Sequence, residues 1–461
     1  MRRLRAVLSF VLPLLLLAAP AAQQPAPGAN QPGAAARHVV LISIDGLRPD
    51  YYLPGPGRRA TMPALDALRE RGSWAEGVVG QFPSLTYPSH TSIVTGTRPA
   101  THGIVQNTRF SPDGGGGWYF EAAALKVPTL WDAARAARLT TAGISWPVTV
   151  GATIDHLLPE TNQMPRDTTW LDLMRRQSTP GLVDAVVERL GGFEPNANRD
   201  YRERDRFSTA AAAVILETHR PNLLLIHLVE ADTAQHQFGP NSPQALEALR
   251  RVDASVAAIV RSIEAAGIAG ETAVIITGDH GFYRVHSAFQ PNVALREAGL
   301  LQVDAAGRIT AWQAIAHRSA IRLKDPSDAA LAARVERLFR ALADGPYRGL
   351  FRVVDKQEVA SRGGDPDALL FLEPAEGYTT AAGTSGRFLV ASARHGDHGY
   401  VPDAPAMHTG LIIAGAGVAE GIAMPLARQV DIAPTAARLL GFTLPHAEGV
   451  AMVGVLRNAE R

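Results

Sequence analysis

Four stretches of this chain are apolar at odd and even positions alike: 38–44 (HVVLISI), 222–228 (NLLLIHL), 272–277 (TAVIIT) and 411–414 (LIIA). A strand with no polar face has no solvent side, so these runs read as strands buried in the middle of a largely parallel sheet. Shorter strands are expected at 73–79 and 141–145. Helical spacing of leucines, alanines and charges marks 62–71, 129–137, 182–190, 207–218, 243–266 and 432–440. A short helix is expected over 91–95, with Pro88 in its first turn. Residues 151–168 show no period and read as a long loop.

The buried runs end in polar chemistry. Asp45-Gly46 follows the first run, Glu230, Asp232 and His236 follow the second, and Asp279-His280-Gly281 follows the third. Strand, polar end, helix, repeated, predicts a doubly wound α/β sheet with its ligands gathered along the carboxyl edge. The texture changes over 291–387, where short strands (320–323, 368–372) alternate with a helix (329–343) and no acid-plus-histidine cluster occurs. This segment is expected to be an inserted cap or subdomain, within a core formed by 38–290 and 388–455.

Composition narrows the class. Of 461 residues, 46% are hydrophobic and 19% charged, a globular balance. The formal net charge of +1 implies no general attraction to nucleic acid or to an acidic membrane. Arg2, Arg3 and Arg5 precede an apolar run that ends at Ala19-Pro20-Ala21, the pattern of a cleaved signal peptide over 1–21. The run is short for a span of roughly 20 residues, so export to the periplasm or exterior without a membrane anchor is expected. Residues 22–37 read as a disordered leader rich in Pro, Gly and Ala. Cysteine is absent, so any metal must be held by His, Asp, Glu and hydroxyls.

The candidates for such chemistry are Asp45, Thr86, Asp232, His236, Asp279, His280 and His398. Asp232 and His236 are one helical turn apart if the segment is helical, and so face one ion. A His/Asp set of this size suits zinc or a similar divalent metal. Thr86 opens the stretch 82–90 (FPSLTYPSH) beside a helix start, where outward N–H groups favour an anion. Its bland role would be to cap that helix.

These pieces carry a resemblance. ISIDGLR at 42–48, the stretch 82–90 with IVTG at 93–96 and HGI at 102–104, the spacing Glu230-x-Asp232-x-x-x-His236, TGDHG at 277–281 and HGY at 398–400 occur in the order seen in the alkaline phosphatase superfamily. They are most similar to its nucleotide pyrophosphatase/phosphodiesterase branch. The resemblance implies a site with two zinc ions: Asp45, Thr86, Asp279 and His280 on one, Asp232, His236 and His398 on the other. It implies that Thr86 attacks phosphorus to give a covalent phosphothreonine, while Asn107 and the Tyr87 backbone N–H hold a non-bridging oxygen. Tyr87, Trp146 and His227 are expected to offer a surface for the second ester group. His227 stands where phosphodiesterases of this branch carry an aromatic residue.

The expected substrate is a small phosphate ester, a nucleotide-like diester above others, with no obligate protein partner. A phosphomonoesterase is the near alternative. Such relatives add a cap-region Lys and Arg, and no Lys-x-Arg pair occurs over 145–155. A sulfatase would need a Cys or Ser at the nucleophile position. An inactive, metal-stabilised binding protein is the alternative from another class.

Overall fold

The computed structural model describes residues 35–113, 115–161 and 166–457. The expected signal peptide and most of the leader lie outside the described residues. Among those described, no helix is long and apolar enough to cross a membrane.

A central sheet organises the molecule. Across it run Ala423–Met424, Gly72–Val79, Thr409–Gly415, Thr272–Gly278, His38–Ile44, Leu223–Leu228, Thr141–Ile144 and His156–Leu158, with Ala427–Arg428 also on Gly72–Val79. Every pairing is parallel except those of Thr409–Gly415, which is antiparallel to both neighbours. The unbroken apolar character of His38–Ile44 has a simple cause. Val40, Ile42 and Ile44 enter one core, with Leu224, Ile226, Val252 and Val256, while Val39 and Leu41 enter another, with Leu225, Ile275 and Ala436. Helices cover both faces, so neither set of side chains can be polar.

Residues 291–387 contribute most of a third core. A four-stranded antiparallel sheet, Ala314–His317, Ala320–Leu323, Leu370–Pro374 and Phe351–Asp355, is covered by the Ala329–Asp344 helix. That helix buries Leu331, Val335, Phe339 and Ala343, one residue per turn, against Ile315, Ile321, Leu370 and Leu372.

Several expectations shift. The helix expected over 91–95 begins at Thr86. The long loop contains the edge strand His156–Leu158. The helix Trp170–Gln177 and the strand Tyr283–Phe289 were not anticipated. The first is a capped two-turn helix, too short for its periodicity to stand out. The second pairs with segments roughly 90 to 110 residues away in sequence, which local pattern does not reveal.

Candidate metal and phosphate site

Strands Thr272–Gly278, His38–Ile44 and Leu223–Leu228 are neighbours in register, with Ile44 opposite both Gly278 and Leu228. Neighbouring strands lie about 4.8 Å apart. The carboxylates that follow them therefore converge. The turn after Ile44 is pinned by Gly46, which has φ +72° and lies where a Cβ would come 2.6 Å from Gln235 Nε2 and 2.7 Å from Phe282 Cε2. Gly46 N–H donates to Asp279 Oδ1 at 2.9 Å, tying the two strand ends together.

His280 Nε2 is the meeting point. Thr86 Oγ1, Asp45 Oδ1 and Asp279 Oδ2 each lie 3.2 Å from it. A second group adjoins: His236 Nε2 and His398 Nε2 lie 3.3 and 3.6 Å from Asp232 Oδ1. Asp232 and His236 sit on the helix Glu230–Phe238, one turn apart. Ligand-capable atoms of Asp232, His236 and His398 lie within 4.8 Å of one another, and so do those of Asp45, Asp232 and His280. Asp232 thus stands between the groups, a position its sequence spacing did not reveal.

The donor set fits divalent metals. Asp45 Oδ1, Asp232 Oδ1 and Asp279 Oδ2 are buried and find no hydrogen-bond partner among the described residues. Burial, then the charge of Asp45, pushes the Asp232 and Asp279 carboxyls above the usual range. Carboxylates buried this close together repel unless a cation joins them. The histidines are oriented from behind. His236 Nδ1 bonds Gly396 O at 2.8 Å and His398 Nδ1 bonds Ser84 O at 3.0 Å, which turns each Nε2 toward the carboxylates.

Thr86 is the first residue of the helix Thr86–Thr95 and is 8% exposed. Leu85 is the cap residue and no side chain caps this helix, so the Thr86 hydroxyl is not used for capping. Asn107 joins it: Tyr87 N–H donates to Asn107 Oδ1 at 2.9 Å. The structure pairs these two groups with one another.

The expected ester-binding surface takes a different form. Tyr87, Trp146 and His227 are 1%, 0% and 1% exposed, so none offers a ring face to solvent. His227 lies behind the site instead, with Nε2 3.2 Å from Asp45 Oδ2 and Nδ1 bonded to Ser145 O. Burial opposes its charge, yet the bond to Asp45 overrides this and pushes the imidazole up to about 9. Trp146 packs edge-on against His90. An exposed aromatic packs beside Tyr87: Trp118, 42% exposed, has its ring 5.1 Å from that of Tyr87 and is bridged to Thr108 beside Asn107. It lies in a glycine-rich stretch without period, so the sequence offered no signal for it.

The profile of the family described as type I phosphodiesterase / nucleotide pyrophosphatase matches residues 39–401. An uncharacterized pyrophosphatase/phosphodiesterase of Schizosaccharomyces pombe is 28% identical over 53% of this chain and 44% of its own length. The human bis(5'-adenosyl)-triphosphatase ENPP4 is 23% identical over 88% of this chain and 79% of its own. The chain spans less than half the length of the fission-yeast protein and of the mammalian family member 1 proteins that it also matches. Human ectonucleotide pyrophosphatase / phosphodiesterase 5 superposes with a TM-score of 0.65 at 19% identity, over 91% of this chain and all of that one. An inactive threonine-to-alanine variant of the murine protein, in complex with AMP, superposes equally well at 18% identity. Over most of its length, then, this chain belongs to the type I phosphodiesterase / nucleotide pyrophosphatase family.

Proposed function

We propose that this protein hydrolyses phosphate diesters with Thr86 Oγ1 as nucleophile, in an exported, two-zinc enzyme whose catalytic unit is 38–290 and 388–455. The convergence of Thr86 Oγ1 and two carboxylates on His280 Nε2 carries the reading. Asp45, Thr86, Asp279 and His280 would hold one zinc, and Asp232, His236 and His398 the other. When bound, such a pair supplies charge that makes a hydroxyl and a water nucleophilic near neutral pH and offsets charge on the entering and leaving oxygens.

The chain's own groups do the rest. Helix Thr86–Thr95 fixes the hydroxyl at its N-terminus, where the dipole favours the incoming anion. The Tyr87 N–H and the Asn107 amide exchange their mutual bond for a non-bridging phosphate oxygen. The Thr86 hydroxyl gives up its proton as its oxygen bonds phosphorus and the ester bond breaks, and the departing alkoxide takes up a proton. Water then cleaves the phosphothreonine, releasing a monoester and the free hydroxyl. His227 holds Asp45 in place from behind. Trp118 gives a flat apolar face for the second ester group. An inactive threonine-to-alanine neighbour that carries AMP supports both the nucleophile and a nucleotide-like ester.

A phosphomonoesterase remains a second reading because one observation favours it: the guanidinium of Arg318, from the 291–387 segment, lies 3.5 Å from Asp397, next to His398. Turnover of bis(p-nitrophenyl) phosphate and p-nitrophenyl phosphate by metal-loaded protein tests both. A faster diester, with a phosphothreonine trapped by acid quench, is the expected result. A protein inert toward both esters would leave only the metal-stabilised binding protein.

A further inference from the structure

Strands Ala314–His317 and Ala320–Leu323 pair as a hairpin whose turn is Arg318-Ser319. Arg318 has φ +55°, a conformation that favours glycine. The tip reaches the site described above from two sides. His317 Nε2 lies 3.0 Å from Thr108 Oγ1, beside Asn107, and Arg318 Nη2 lies 3.5 Å from Asp397 Oδ1.

Asp397 is already well supplied. It accepts from the His398 N–H at 3.1 Å, from Arg394 Nη1 at 3.0 Å and from the Thr379 hydroxyl. One buried carboxylate thus faces two guanidinium groups. The Arg318 side chain is 32% exposed, and among the described residues its guanidinium makes no hydrogen bond. It lines a narrow cleft with Leu85, Gln106, His398 and Gly399.

We propose that Arg318 is a specificity-determining residue. Its guanidinium binds an anionic oxygen beyond the two non-bridging oxygens of a simple diester. That oxygen belongs to the neighbouring phosphate of a pyrophosphate linkage or is the third terminal oxygen of a monoester. Both bring the same chemistry, a further negative charge that a planar, five-donor cation recognises. This inference rests on the hydrolytic reading for its substrates, while the contact itself is testable without turnover.

The test compares wild type with R318A and R318K on three substrates: a methyl p-nitrophenyl diester, p-nitrophenyl phosphate and a dinucleoside 5',5'-pyrophosphate. R318A is expected to lower kcat/KM for a polyanionic substrate at least tenfold more than for the diester, with partial recovery in R318K. The substrate that loses most identifies the source of the extra charge. Metal content and melting temperature, measured on each protein, show that the site is intact. Should R318A fail to fold, R318Q carries the same comparison. Equal loss on all three substrates, or none, overturns the proposal. Affinity for ADP by calorimetry separates the two levels. An inert wild type whose ADP binding still falls tenfold in R318A sinks the hydrolytic reading and keeps Arg318. Unchanged ADP affinity rejects Arg318 whatever the turnover.

Discussion

The imidazole of His398 lies flat on that of His280, with ring centroids 3.4 Å apart and planes 10° from parallel. Burial, then the neighbouring His280, holds His398 well below its ordinary value. The contact brings the two ligand groups together, and each ring carries a nitrogen able to bind a metal.

Metal should therefore be integral to this protein. We expect about two divalent ions per chain, as a paired-metal site requires. Chelation should abolish turnover and lower the melting temperature, because buried carboxylates lose their counter-charge. His236→Ala and Asp279→Ala should each lose metal and rate together. Elemental analysis alongside turnover checks this, and full activity in a metal-free preparation would refute it.

Thr86→Ala should cut turnover by orders of magnitude at little cost in stability. The Thr86 side chain caps nothing, so the loss should stay below the ~1 kcal/mol typical of a helix cap. Thr86→Ser should retain activity because the hydroxyl survives. Acid-quenched mass spectrometry should find the phosphoryl group on this residue in wild type and no adduct in the alanine variant.

Trp118 and His227 should separate in their effects. Trp118→Ala should weaken nucleotidyl aryl diesters more than a methyl aryl diester, since base stacking contributes roughly 1–3 kcal/mol. His227→Ala should act on both substrates alike, through a metal affinity lower by about 10- to 100-fold, because it removes the support behind Asp45. A substrate-selective loss in His227→Ala would reverse these assignments.

Glu373 offers a pH test away from the site. Burial pushes its carboxyl up to about 8, against the bonds from Val401 N–H to both oxygens. A raised folded-state value means the folded protein holds the proton more tightly. Its contribution is full below the unfolded value of about 4.3 and is lost as pH rises through about 8. Glu373→Gln keeps an acceptor without a charge. It should raise the melting temperature by a few degrees at pH 8.5 and hardly change it at pH 4.5.

The sequence by itself determined the sheet and the chemistry at its edge. Runs such as 38–44 and 272–277 can be apolar on both faces only if helices cover both, so the doubly wound layer order was legible from periodicity. Asp45 and Asp279 close such runs and Asp232 lies four residues past another, and strand ends in a parallel sheet lie side by side. Which side chains face solvent was decided by tertiary packing. Tyr87, Trp146 and His227 read as substrate contacts from their places in the chain, yet packing buries all three. Trp118 and Arg318 come from stretches with no period and are placed by pairings to Thr108 and Asp397. Arg318 and Asp397 are 79 residues apart. Local pattern records which face of an element is buried, whereas contacts across such separations exist only once the chain has closed on itself.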